Sequence, residues 1–249
     1  MSARVGPRRA DAVVLLALLA ALVPAGSAVA QGSLRVDASV EYTSGDYGGT
    51  TDYNDIYVPL TLTYALRRVD LRLTVPYLEA ETSAGSTASG LGDVIAGITI
   101  YDLWRSADGS MALDLTGKIK FGTADETEGL GSGENDYSLQ TGLYKALPNG
   151  NGLSTGVGYR TRGDTAVIDL ENVWFAYIGG LHAFSYRMRG GIFFDYREAS
   201  IAGNEAVQEL SAFISRRMDN RWAVQVFLLK GLSDTSPDWG GGFSVGSRF

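Results

Sequence analysis

The sequence contains no cysteine and a single histidine, His182. Without cysteine there is no disulfide framework, thiolate metal site, cysteine nucleophile or lipidated N-terminal cysteine. One imidazole is too little for a histidine-rich zinc site and leaves His182 as the only base for a triad. Positive charge is also short: 21 lysines and arginines stand against 28 carboxylates in 249 residues, a formal charge of −7. A nucleic-acid binder needs a basic footprint, so no nucleic acid is expected as a partner. Beyond the N-terminus no apolar run approaches the roughly 20 residues of a spanning helix. Glycine, in contrast, is plentiful at 32 residues, too many for a helix bundle and without the period of collagen.

What is present begins with an address. Arg4, Arg8 and Arg9 precede an apolar run over residues 12–23, Pro24 breaks it, and Ala28-Val29-Ala30 offers small residues at cleavage spacing. This predicts a cleaved secretory signal peptide over residues 1–30 and an exported mature domain over 31–249. Taking its three arginines from 21 and its one aspartate from 28 leaves 18 basic against 27 acidic residues, a mature charge of −9.

In the mature chain apolar residues recur at every second position, the period of a strand with two different faces. Val58, Leu60, Leu62 and Tyr64 alternate with Tyr57, Pro59, Thr61 and Thr63, and Leu210, Ala212 and Ile214 repeat the pattern far downstream. Segment after segment reads this way, predicting about twelve strands of about eleven residues, the length of a tilted strand crossing a thin bilayer. Residues 169–179 are apolar on both faces, which leaves their orientation open. Short connections at 66–68, 104–109, 148–152, 179–182 and 217–220 alternate with mostly longer polar ones, a loop over 81–90 and the longest at 122–135 among them. Aromatic residues gather at strand ends, where amphipathic rings favour the headgroup level. The expectation is an all-β, antiparallel up-and-down barrel of bacterial outer-membrane type, with both termini in the periplasm. A soluble sandwich or lipocalin-like barrel is the alternative, and twelve strands with terminal aromatics count against it.

Several stretches then resemble a known family. Pro76-Tyr77, SGLGDV at 89–94, KFGTAD at 120–125, GLGSGENDYSLQTGLYK at 129–145 and the C-terminal LLKGLSDTSPDWGGGFSVGSRF are similar to the outer-membrane transporters named for the MetA pathway of phenol degradation. The resemblance covers residues 77–249. It implies passive uptake of small hydrophobic or aromatic solutes, and brings no catalytic residue and no cofactor. The last strand resembles the assembly signal read by the barrel assembly machinery, with Phe243, Val245 and Phe249 on one face. Outer-membrane lipid and lipopolysaccharide would surround such a chain.

Two constellations stand out on the polar faces. Lys118, Lys120, Arg160, Arg162, Arg187, Arg189 and Arg197, with Asp114 and Asp195, predict a basic stripe along the lumen. It either draws anionic solutes or is an ion-paired filling of a small barrel. A narrow anion-preferring porin is therefore a second functional reading, and a structural or adhesion barrel a third. If Arg67-Arg68 forms a two-residue turn, Pro59 and Pro76 face each other, both inward. Proline removes a ladder hydrogen bond, so the pair predicts a kink or bulge that either opens the wall sideways or sets its curvature. The acidic residues Asp125, Glu126, Glu128, Glu134 and Asp136 read as a solvated loop, without the spacing of a calcium loop. His182 is expected in a periplasmic turn after Gly179-Gly180, far from where outer-leaflet hydrolases work, so no enzyme activity is expected.

Overall fold

The alternating segments become thirteen antiparallel strands in a computed structural model that describes residues 32–163 and 169–249. The expected signal peptide and loop residues 164–168 lie outside the described residues. The strands are β1 (Ser33–Gly45), β2 (Tyr53–Ala65), β3 (Val69–Thr82), β4 (Thr87–Leu91), β5 (Ile95–Arg105), β6 (Met111–Lys120), β7 (Asp136–Ala146), β8 (Asn151–Thr161), β9 (Val173–Ser185), β10 (Met188–Arg197), β11 (Val207–Arg217), β12 (Trp222–Gly231) and β13 (Trp239–Arg248). Apart from β4 and β5, each pairs with its neighbour in order, and β1 pairs with β13, so the sheet closes. β4 and β5 share one position beside β3, which pairs with β4 through residues 77–81 and with β5 through residues 69–74. Thirteen strands therefore make twelve staves, the fourth broken at Gly92, Asp93 and Val94.

The apolar face points outward. Among the described residues only Val36, Leu130 and Val173 are buried hydrophobics, while Leu139, Ile178, Ile192 and Leu228 are each more than half exposed. A buried side chain of this size contributes about 1.5–3 kcal/mol, so a wall of exposed ones needs an apolar solvent. Two aromatic belts bound that wall. Tyr42 packs on Trp239 at 5.1 Å and Tyr159 on Trp174 at 5.0 Å at the long-loop end, while Tyr64, Trp104 and Trp222 mark the short-turn end. This is the transmembrane barrel arrangement of the outer-membrane type.

Three local readings need correction. The 81–90 stretch, expected as loop, contains β4, which extends the sheet beyond the broken stave. The turn expected at 179–182 is continuous strand, and β9 runs on to Ser185 before turning at Tyr186-Arg187. Gly179 and Gly180 are not turn formers: Gly179 lies beneath the Phe193 ring, where any Cβ would collide. His182 consequently sits within β9, its Nδ1 2.8 Å from Asn151 Oδ1 and its ring edge-on to Phe184. Finally, the longest loop is docked rather than freely solvated. Leu130 is 8% exposed and Asp136, at the start of β7, is 4% exposed.

Candidate functional site

The lumen is built by the alternate residues that the register turns inward. One hydrogen-bonded row crosses five strands as Arg72, Gly97, Lys118, Ser138 and Arg160. Every second member is a cation and each intervening residue is small, so three long basic side chains share the space above glycine and serine. None of the three has an ion-pair partner among the described residues. They line one wall of a cavity of about 330 Å³ together with Tyr57 and Pro59. Its threonines satisfy one another across strands, Thr61 with Thr74 at 2.9 Å and Thr99 with Thr116 at 3.0 Å. Of the other charged groups lining the cavity, Lys120 and Asp136 stand 3.6 Å apart as a pair, which leaves Arg72, Lys118 and Arg160 as its unpaired charges among the described residues. At close quarters and partly out of water, three like charges favour a carboxylate, phenolate or phosphate between them.

Above this row Lys120 behaves differently. Its Nζ donates to Asp93 Oδ2 at 2.7 Å and to Ser132 Oγ at 2.7 Å, with Asp136 Oδ2 at 3.6 Å. Asp93 is the middle residue of the broken stave and is 9% exposed. Its Oδ1 accepts the backbone N–H groups of Thr123 and Ala124, both at 3.0 Å. The break thus turns a carboxylate inward, and Lys120 with two loop amides neutralises it. The same contacts pin the β6–β7 loop across the long-loop end. Arg162 follows the end of β8, 3.8 Å from Asp136 through Nε and 2.7 Å from Ser200 Oγ through Nη1.

The proposed basic stripe is thereby divided. Lys118 and Arg160 face the cavity, joined by Arg72; Lys120 and Asp136 also line it but, with Arg162, belong to the loop anchor. Arg189 and Arg197 point inward from β10, and Arg197 Nε is buried without a hydrogen-bond partner among the described residues. Arg187 is outside the lumen wall, in the β9–β10 turn, with Nη1 3.3 Å from Met218 O. Phe243 and Val245 face outward on β13, and the Phe249 N–H donates to Leu34 O at 2.7 Å.

A further lumen feature is apolar. Phe175, Tyr177, Phe193, Phe213 and Phe227 step across β9 to β12 on the inward face. Each lies over a glycine of a neighbouring strand, Phe175 over Gly158 and Phe227 over Gly242 among them. Tyr177 and Phe193 are 6.1 Å apart, Phe193 and Phe213 stack at 6.2 Å, and Arg160 stands 5.7 Å above Phe175. A ring pressed flat on glycine turns a face to the lumen. The stripe thus begins beside the cation row. Its signal in the sequence is aromatic residues at the same alternation as Asp195, Ser211 and Gln225.

Pro59 and Pro76 are paired in the β2–β3 ladder, which runs from Tyr53 to Ala65 without a register shift. The missing amide hydrogens face the other way. The Pro76 carbonyl accepts from Gly92 N at 2.9 Å, so its nitrogen side also faces the broken stave. On the opposite flank the β1–β2 pairing is interrupted between Ala38–Leu60 and Glu41–Tyr57, beside Pro59. The kink or bulge expected between β2 and β3 is absent there, and the irregularity lies on the two outer ladders.

Closed staves, an apolar belt and a charged lumen define an outer-membrane-type β-barrel. More particularly, the profile of the family described by the MetA pathway of phenol degradation matches residues 23–249, and the chain belongs to that family. No curated protein matches the sequence. Among solved structures the chain is similar to the COG4313 outer membrane channel from Pseudomonas putida F1, with TM-score 0.78 and 13% identity over 91% of this chain and 100% of that one. The NanC porin aligns with TM-score 0.55 and 9% identity over 86% of this chain and 98% of that one. The translocator domain of the autotransporter NalP from Neisseria meningitidis aligns with TM-score 0.50 and 12% identity over 96% and 95%. At these identities the likeness is one of fold.

Proposed function

We propose that the chain is a narrow passive channel of the outer membrane for small organic anions, aromatic acids and phenolates foremost. The carrying observation is the row of three unpaired cations, Arg72, Lys118 and Arg160, facing the lumen cavity. The aromatic stripe beside Arg160 and the family's description support the ring-bearing part of the reading, and the printed titles of the channel and porin relatives support the channel part alone. No chemistry is assigned to the chain, and His182 is engaged by Asn151 and Phe184. On this reading Phe243, Val245 and Phe249 serve as the signal for the assembly machinery, and lipid and lipopolysaccharide cover the outer wall.

Conductance of the refolded protein in a planar bilayer under a salt gradient tests the proposal. The expected reversal potential has the sign of anion preference, moves toward zero in Arg160→Ala and Lys118→Met, and unitary current drops on adding benzoate. A cation-preferring pore, or no current from a folded barrel, would overturn it.

A further inference from the structure

At the short-turn end five arginines fall in one continuous arc. The Arg217 N–H donates to Arg187 O at 2.8 Å, tying the β11–β12 turn to the β9–β10 turn. The Arg248 N–H donates to Arg221 O at 3.0 Å, tying β13 to the same turn. Arg216 completes the arc at the last outward position of β11, opposite Met188 and Val224. All five are exposed, and none has an ion-pair partner among the described residues. Asp219, in the same turn, uses its Oδ1 to accept the N–H groups of Arg221 and Trp222, both at 2.7 Å.

The same arc is strongly apolar just above the arginines. Tyr186 is 82% exposed, Phe184, Met218 and Trp222 are also exposed, and the Arg187 guanidinium lies 5.1 Å over the Tyr186 ring. Exposed rings above a cluster of guanidinium groups match, layer by layer, the acyl chains and phosphates of a lipid leaflet. An acidic soluble partner would match the arginines but leave the rings in water.

We infer that this arc is a docking surface for anionic glycerophospholipids, whose phosphates seat among the arginines while their acyl chains cover Phe184, Met218 and Trp222. The inference rests on the outer-membrane reading above. It assigns the surface to the inner leaflet, which the short turns meet.

The full chain, with Trp104, Trp174 and Trp239 replaced by Phe so that Trp222 alone reports, is refolded into phosphatidylcholine vesicles containing a minor fraction of brominated phosphatidylglycerol or brominated phosphatidylcholine. Contact with Trp222 is expected to favour phosphatidylglycerol by about tenfold, since clustered surface cations attract an anionic leaflet. Arg216→Gln/Arg217→Gln/Arg221→Gln should abolish that preference, whereas the corresponding lysine variant should retain most of it. Equal quenching by the two lipids, or a preference unchanged in the glutamine variant, would overturn the docking surface and leave the channel proposal standing. A chain that inserts into neither vesicle would overturn the membrane reading and this inference with it.

Discussion

Pro59 and Pro76 face each other across an unbroken β2–β3 ladder, and each turns its hydrogen-bond deficit toward the stave behind it. Two adjacent staves are therefore well joined to one another and poorly joined to the rest of the wall at one height. Hydrogen exchange of the folded barrel in detergent should show the amides of Ser39 and Asp93 exchanging faster than those of Leu139 and Val157, while Leu60 and Val75 stay protected. Uniform protection around the circumference would mean that neither proline weakens the wall.

The Asp93–Lys120 pair is the strongest anchor of the long loop, because both side chains are largely withdrawn from water. Removing one partner strands a charge. Lys120→Met should destabilise the barrel by about 2–3 kcal/mol, below the figure for a fully buried pair because Lys120 keeps 22% exposure. Thermal unfolding followed by gel mobility of the heated barrel measures this. A free loop should also add slow current fluctuations to the open pore, which single-channel records would resolve.

Selectivity from the Arg72–Lys118–Arg160 row should depend on salt. At 1 M ionic strength the screening length is ~3 Å, too short for three fixed charges to act together across the cavity. Permeability ratios measured at about 0.1 M and 1 M should therefore converge toward unity, and Arg72→Gln/Arg160→Gln should show little salt dependence at all.

Gly179 is a packing requirement. Gly179→Ala would drive a methyl group into the Phe193 ring, with an expected loss of about 1–3 kcal/mol, typical of overpacking. Gly180, on the outward face with open space around it, should accept the same change with a much smaller effect. Parallel melting of the two variants separates ring packing from backbone freedom.

Outside the membrane, Tyr47 in the first loop has its phenol pushed up to about 12, chiefly by burial, with the nearby Asp55 charge adding to it. An unfolded tyrosine titrates near ~10, so the protonated form is the one the fold favours. Its contribution is complete below that value and is lost as pH rises through about 12. Absorbance titration at alkaline pH should show a late-ionising component that vanishes in Tyr47→Phe, and a wild-type curve without it would refute the shielding.

The staves were legible because lipid on one side and water on the other enforce a strict two-residue alternation, seen in Leu210, Ala212 and Ile214. The Pro59–Pro76 pairing could be counted from the Arg67-Arg68 turn, since a tight hairpin fixes every later partner. Local signals misled at Gly179-Gly180, where two glycines resemble a turn until the ring that covers them is known. Residues 169–179 gave no face because β9 carries lipid-facing Trp174 and Ile178 on one side and lumen-facing Phe175 and Tyr177 on the other. The loop anchor was out of reach: Asp93 and Lys120 are 27 residues apart, and only the broken stave brings them together.

The pairing of β1 with β13 has a kinetic consequence. Residues 35 and 248 become neighbours, so the final contact joins nearly the whole length of the barrel. Closing so long a loop gains nothing until the intervening staves are in register, and chains dominated by such distant contacts form slowly. Until the seam zips, both outer strands expose unpaired backbone that hydrocarbon cannot satisfy. A half-built cylinder is thus far costlier in lipid than either the unfolded chain in water or the closed form, which makes this a molecule with few stable waypoints between birth and completion.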